Sequence, residues 1–334
     1  MFGPFRRRTP VPAAASAPNQ VPGAAATVGG AAGVARVSVV VPLYNHASYI
    51  GPAIKSVLGQ GAVLRELVVI DDGSTDESAR VMAGLAARDP RIRFRTQANQ
   101  GAHATINAGM RDCTGEFVAI LNSDDLYEPG RLDTLALALD ADPGADIAAS
   151  GIAFMDGEGA AVANDWYAEA MAFRAGRDMG TALVNANFLM TTSNFLFRRG
   201  LTAAIGDFAA LRYTHDLDFA LRALALGHRI ALLGETLLRY RLHGSNTISE
   251  DHRRVRSEWA ASTAAYLTLL WDRPDAPEPD WNAAGEMEEV LRRHELARAV
   301  HPCMAYLRRN GGGRLDSGPL LADEAFRARL VGWA

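Results

Sequence analysis

The chain has 334 residues, of which 49% are hydrophobic and 22% charged, and its formal net charge is −4 at neutral pH. At roughly 100–200 residues per domain, that length means one large domain with an appendage, or two domains. The balance lacks the basic excess of a nucleic-acid binder, the two cysteines cannot frame a disulfide scaffold or a four-cysteine zinc site, and no apolar run reaches the 18 or so residues of a spanning helix. An α/β-sized enzyme or binding protein remains, expected in the cytoplasm.

Residues 1–33 hold five of the fifteen prolines among Ala, Gly and Thr. Such a segment cannot bury enough surface to offset its ordering entropy, so a disordered tail is expected. VSVVV (37–41) is a β-branched run that predicts a buried strand. Ile50, Ile54, Val57 and Leu58 give helical spacing over 47–59. LVVI (67–70) predicts a second strand, followed by a helix that Ser74 or Thr75 can cap, with Val81, Met82 and Leu85 as its stripe. A strand at 92–95, a helix at 101–112, a strand at 117–121, a helix at 130–140 and a strand at 146–154 follow.

Beyond residue 155 the pattern loosens. Residues 157–187 read as loop and short helix, and 187–197 contains a strand. Residues 215–227 are helical, with a glycine at the stop position. Residues 229–243 read as strand, turn and strand. The stretch from 250 to about 271 is helical. A proline-broken linker at 274–279, a helix over 284–308, a glycine break at 311–313 and a tail helix complete the chain.

Alternating buried strands and helices imply a mostly parallel sheet covered on both faces. In such sheets ligands bind outside the carboxyl ends of the strands. Three polar clusters fall at such ends: Pro42-Leu43-Tyr44-Asn45, Asp71-Asp72-Gly73-Ser74 and Asn122-Ser123-Asp124-Asp125. Adjacent carboxylates at Asp124 and Asp125 suit a hard divalent cation, Mn2+ or Mg2+; as turn residues they equally suit a helix start. Asp71 and Asp72 can accept hydrogen bonds from a base or ribose, or offset a helix dipole. Tyr44 can stack on a base or simply pack. Neither a G-x-G-x-x-G nor a G-x-x-x-x-G-K-[ST] phosphate loop is present.

The ordered set VSVVVPLYN, LVVIDDGSTDES, NQGAHATINAGM, FVAILNSDD and HDLDFALRALALG resembles glycosyltransferase family 2 across residues 36–250. The resemblance implies a GT-A type α/β fold, Rossmann-like, with a mostly parallel sheet flanked by helices. It also implies a nucleotide-diphosphate sugar donor, a divalent metal and inversion at the anomeric carbon. Carried over residue by residue, Pro42, Tyr44 and Asn45 match the loop for the donor base. Asp71 and Asp72 match the carboxylates at base and ribose, and Asn99 and Gly101 the segment beneath the nucleotide. Asp124 matches the metal ligand, with Asp125 adjacent; Asn122 stands where many members have a further Asp. Asp216 matches the general base, with His215 in place of a common Glu. Arg241, His243, Ser245 and Asn246 resemble a loop that folds over the donor, which makes His243 a candidate at the metal or diphosphate.

Thr192 and Ser193 are candidates for sugar or acceptor contact, together with His215 and Arg241. Trp166, Tyr167 and Phe173 fit either a sugar-stacking wall or core. The chain lacks the Gln-x-x-Arg-Trp element and the membrane spans of processive synthases, which implies a single-addition enzyme. A UDP-sugar is the expected donor, and a glycan, lipid-linked glycan, protein or small molecule the acceptor. The expected division is a tail at 1–33, a catalytic domain at 34–250 and a helical C-terminal extension at 251–334. That extension could form a homodimer surface or touch a membrane. A sugar-nucleotide-forming nucleotidyltransferase and a non-catalytic binding relative are the alternatives.

Overall fold

The computed structural model describes residues 34–244, 246–272, 281–310 and 317–333. The tail at 1–33, Ser245, the linker at 274–279 and the glycine break at 311–313 lie outside the described residues.

The first half alternates as expected. Strand β1 (Val37–Leu43) leads through α1 (Ile50–Leu58) to β2 (Leu64–Asp71), and α2 (Ser78–Ala86) leads to β3 (Ile92–Thr96). Helix α3 (Ala102–Asp112), β4 (Phe117–Ile120), the short β5 (Leu126–Tyr127), α4 (Arg131–Ala141) and the long β6 (Ala145–Met155) follow. Next come β7 (Ala161–Val162), α5 (Asp165–Arg174), α6 (Met179–Asn185), β8 (Leu196–Arg198), α7 (Leu201–Ile205) and α8 (His215–Ala225). Strand β9 (Arg229–Arg241) closes the sheet, and α9 (His252–Asp272), α10 (Trp281–Arg293), α11 (Ala297–Asn310), α12 (Gly318–Ala322) and α13 (Glu324–Trp333) complete the fold.

Among the described residues the strands form one sheet in the order β3-β2-β1-β4-β8-β6-β9-β5, with β7 paired to β6. The β1, β2, β3 and β4 pairings are parallel, as is β6 with β9; β8 runs antiparallel between β4 and β6. Side chains alternate across this sheet. Val40, Val68, Ile70, Val118 and Ile120 face α3. Val39, Val41, Leu67 and Val69 join Ile50, Ile54, Leu132 and Leu135 of α1 and α4 on the other face. Burial on both sides is why these strands read as continuous apolar runs.

Three sequence expectations differ from what is seen. Ser74 and Thr75 do not cap α2, which begins at Ser78; they bond instead to Asn45 in the loop after β1. Residues 229–241 are one strand, not two: β6 pairs Ala149 with Leu232 and Gly151 with Thr236, so residues around Gly234 bulge where a turn was expected. The 284–308 helix is two, because Glu295 takes φ +54° and a Schellman-type stop forms there, with Leu296 N–H on Leu291 O at 2.8 Å and Glu295 N–H on Arg292 O at 3.1 Å. Without glycine at that position, the sequence carried no stop signal. The stop at Gly227, where φ is +86°, has the same pattern and was legible.

Helices α9 to α13 do not stand apart. The core on the α3 face runs through Phe188, Phe197 and Phe219 into Trp259, Ala264, Leu291, Val300 and Leu330. Alanines at 260, 261, 264 and 265 are buried in α9 and let neighbouring helices approach closely. Cys113 and Cys303 are buried in this core, and burial pushes both thiols up to about 12. No helix among the described residues is long and apolar enough to cross a membrane.

Candidate active site

The carboxyl ends of β1, β2 and β4 open into a cavity of about 730 Å3, within the usual size of small-molecule sites. Pro42, Tyr44 and Asn45 line it, and the Tyr44 ring is 47% exposed. Asn45 sits at φ +52°, a conformation Asn tolerates. Its N–H donates to Ser74 Oγ at 2.9 Å and its Oδ1 accepts from Thr75 N–H at 2.8 Å. The loop after β1 is thereby tied to the one after β2.

The two aspartates after β2 part company. Asp71 is buried beneath the loop, with Oδ2 accepting from Ser74 N–H at 3.2 Å, and it is not among the cavity-lining residues. Asp72 lines the cavity, and its carboxylate holds the facing loop: Oδ1 accepts from Gln97 Nε2 and Gln100 N–H, both at 2.9 Å, and Oδ2 from Gly101 N–H at 2.8 Å. That loop presents Asn99 and Gly101 to the cavity; Gly101 has φ +87° and ψ 160°, a region suited to glycine.

After β4 the carboxylates divide again. Asp124 lines the cavity, and its Oδ2 lies 2.9 Å from Nε2 of His243. Asp125 does not join it. It is buried, with Oδ2 accepting from Ser193 Oγ at 2.6 Å and Oδ1 from Arg241 N–H at 3.0 Å, and burial beside Asp124 raises it well above the usual carboxylate range. Ser193 and Arg241 are likewise framework. Ser193 Oγ also accepts from Asn122 N–H at 2.8 Å. The Arg241 guanidinium donates to the carbonyls of Asp124, Asp156 and Gly157 at 2.8, 3.1 and 3.0 Å. Asn122 spends its side chain on Thr191 Oγ1, to which it donates at 2.8 Å, and Thr192 Oγ1, from which it accepts at 3.1 Å. Thr192 does line the cavity.

One ligand-type side chain was not read from the sequence. His46, directly after Asn45, lines the cavity and joins Asp124 and His243 in a group whose ligand atoms all lie within 4.8 Å of one another. Its Nδ1 is 2.7 Å from Ser123 Oγ, and burial lowers its pKa. Two imidazoles and a carboxylate form a donor set that fits a divalent cation.

On another wall, His215 and Asp216 open α8. Burial lowers His215 to about 4, which keeps it neutral. Asp216 is 5% exposed, and Asn187 Nδ2 donates to its Oδ2 at 2.8 Å. The helix start and Asn187 favour the anion, but burial outweighs them and raises the carboxyl to about 6. The segment entering α8 is gripped from α9. Glu258 accepts from the N–H groups of Arg212, Tyr213 and Thr214 at 2.9, 2.6 and 3.1 Å. Helix α9 also puts Trp259 on the cavity wall, and His294 joins it there, 3.0 Å from Asn185 Oδ1. Of the three aromatics considered as a sugar wall, Trp166 lines the cavity, whereas Tyr167 packs on Phe154 and Phe173 against the core.

The family model of Glycosyl transferase family 2 matches residues 38–215. An uncharacterized glycosyltransferase of Nostoc sp. is 30% identical over 216 residues, 63% of this chain and 66% of that protein. Chondroitin synthase of Escherichia coli is 38% identical over 104 residues, 31% of this chain and 15% of that protein. The chain thus spans less than two thirds of each of these relatives. Among solved structures, Staphylococcus aureus TarS 1–349 in complex with UDP-GlcNAc superposes with a TM-score of 0.53 at 17% identity, covering 88% of this chain and 92% of that 1–349 chain. The mannosyltransferase PcManGT of Pyrobaculum calidifontis, in complex with GDP-Man and Mn2+, gives 0.55 at 20% identity, covering 89% and 84%. The sheet has the arrangement of these GT-A structures, and the family model matches more than half of the chain, so the chain belongs to glycosyl transferase family 2.

Proposed function

We propose that this chain moves a sugar, with inversion, from a nucleoside-diphosphate sugar to an acceptor hydroxyl, adding one residue per encounter. The observation that carries the reading is that one cavity is lined both by Pro42, Tyr44, Asn45, Asp72, Asn99 and Gly101 and by Asp216. The first group suits a nucleotide: Tyr44 offers a flat, exposed ring for a base, and the tied loops after β1 and β2 hold the surrounding wall. The UDP-GlcNAc and GDP-Man of the two structural neighbours support this donor class, and UDP-sugars are the first candidates.

A divalent cation, Mn2+ or Mg2+, held by His46, Asp124 and His243 would offset charge on the departing diphosphate. Asp216 takes the proton of the attacking hydroxyl. At about 6, its carboxyl is ionised at neutral pH yet more basic than an ordinary aspartate. Asn187 orients it, and Glu258 fixes the segment that carries it. With Asp216 acting as base on the attacking hydroxyl rather than as nucleophile, a single in-line displacement accounts for the transfer and inverts the anomeric carbon. The acceptor is a glycan, lipid-linked glycan, protein or small molecule that meets the wall of Trp166, Trp259 and His294. We assign catalysis to 34–250 and acceptor-side and packing roles to 251–334.

Calorimetric titration of the full chain with UDP- and GDP-sugars in the presence of Mn2+ tests the reading. At least one donor should bind, and its nucleotide should be released when the acceptor is added. Failure of every nucleotide sugar to bind overturns it.

A further inference from the structure

The loop that offers Tyr44 and Asn45 continues into His46, and this residue changes the chemistry expected beside Asp124. Asn122 has both ends of its amide engaged with Thr191 and Thr192. Asp125 has both oxygens engaged with Ser193 and the Arg241 N–H. Of the three polar side chains at 122, 124 and 125, Asp124 alone faces the two imidazoles. The second and third donors arrive from distant parts of the chain, His46 after β1 and His243 after β9.

Their placement is built. Ser123 Oγ, 2.7 Å from His46 Nδ1, fixes that ring, as partners of ligating histidines do. His243 is stacked on Tyr49 at 5.3 Å between ring centroids, and His46 meets its edge at 5.7 Å. Arg241 Nε donates to the carbonyl of Asp124 at 2.8 Å and so pins its backbone.

We propose that His46 is a metal ligand, and that His46, Asp124 and His243 form a nitrogen-rich site that takes Mn2+, Co2+ or Zn2+ in preference to Mg2+. This rests on the reading that the cavity takes a nucleoside-diphosphate sugar. Mg2+ is a hard ion that prefers oxygen and is usually held by carboxylates and phosphates. Imidazole suits first-row transition metals and zinc, and the affinity of such a site rises from Mn2+ towards the later metals. A second carboxylate at position 122 would serve Mg2+ well. Here position 122 is an amide turned to two hydroxyls, and an imidazole from position 46 takes its place in the donor set.

The test uses the full chain and Mn2+ alone, without nucleotide, followed by electron paramagnetic resonance. Bound Mn2+ should show nitrogen hyperfine coupling from imidazole, and Mg2+ should displace it only at concentrations on the order of a hundredfold higher. His46→Ala should weaken Mn2+ binding roughly tenfold or more and reduce the nitrogen signal. His46→Asp should keep binding Mn2+ while letting Mg2+ compete at about tenfold lower concentration. Metal-free melting temperatures of both variants should match the parent; if either falls, the number of coupled nitrogens in the unmodified chain decides, since two require His46 beside His243 and one is met by His243 alone. Coupling to fewer than two nitrogens, or unchanged Mn2+ affinity in a folded His46→Ala, overturns the proposal. Donor binding is measured separately. Nitrogen coupling with no nucleotide sugar bound retires the donor reading and leaves the site; donor turnover without nitrogen coupling does the reverse.

Discussion

Asn187 donates its side-chain amide to Oδ2 of Asp216 at 2.8 Å across 29 residues of sequence. The bond favours the carboxylate anion, while near-complete burial opposes it, and burial prevails. Asp216 is thus held in an environment that resists its charge, which is the condition that makes a carboxylate a useful base near neutral pH.

Replacing Asp216 by Asn removes the proposed base and the buried charge together. Transfer should fall by roughly a hundredfold or more, with donor affinity unchanged. Stability should move the other way. A carboxyl raised to about 6 contributes stability that is fully present below its ordinary value of 3.8 and lost as pH rises through 6. Asp216→Asn should therefore melt higher than the parent at pH 7.5, by up to about 3 kcal/mol, and no higher at pH 4. Thermal melts at the two pH values, beside a transfer assay, check both signs.

The pH profile should carry the same group. kcat/KM should fall about tenfold per pH unit below about 6, as Asp216 takes up a proton. Asn187→Ala withdraws the bond that lowers the carboxyl, so the acid limb should move up by about one pH unit. A limb that stays in place in a folded Asn187→Ala would remove Asp216 as its source.

Asp72 presents oxygen to three N–H donors of the 97–101 loop. Asp72→Asn turns one oxygen into a donor facing donors, and should cost about 1–3 kcal/mol and weaken nucleotide binding. Gly101→Ala should cost a similar 1–3 kcal/mol through backbone strain at φ +87°, since its Cβ meets the His103 ring at an ordinary 3.6 Å. Denaturant melts and nucleotide titrations measure both.

Glu258 is proposed as a positioning residue for Asp216. Glu258→Ala leaves three backbone N–H groups before α8 without their acceptor, so it should lower stability by about 1–3 kcal/mol or more. It should reduce kcat while leaving the donor dissociation constant near the parent value. A loss of stability with kcat intact would make the clamp purely structural.

Much of this arrangement was open to a reader of the sequence. Val39 to Val41 and Leu67 to Ile70 read as strands because burial on both faces selects β-branched runs, and Gly227 ended α8 where a left-handed residue was needed. Residues following strands, such as Tyr44, Asp72 and Asp124, reached the cavity. Adjacency misled at the paired aspartates. Consecutive residues point apart, so Asp71 and Asp125 turned inward while Asp72 and Asp124 faced the cavity. Contacts made at long range left no local pattern: His46 meets Ser123 across 77 residues, and Glu258 meets Arg212 across 46. The bulge near Gly234 looked like a turn, because a glycine in a strand pattern serves either purpose.

The clamp from α9 bears on how much of the chain the proposed chemistry requires. The segment recognisable as family 2 stops at residue 215, one position short of Asp216, and the carboxylate that steadies the approach to Asp216 sits more than forty residues later still. A fragment cut at that boundary would keep the loops after β1, β2 and β4 and lose both the proposed base and its anchor. If Asp216 is the base, the working unit is larger than the stretch that the family model matches, and a transplant of the proposed chemistry should carry α9 with it.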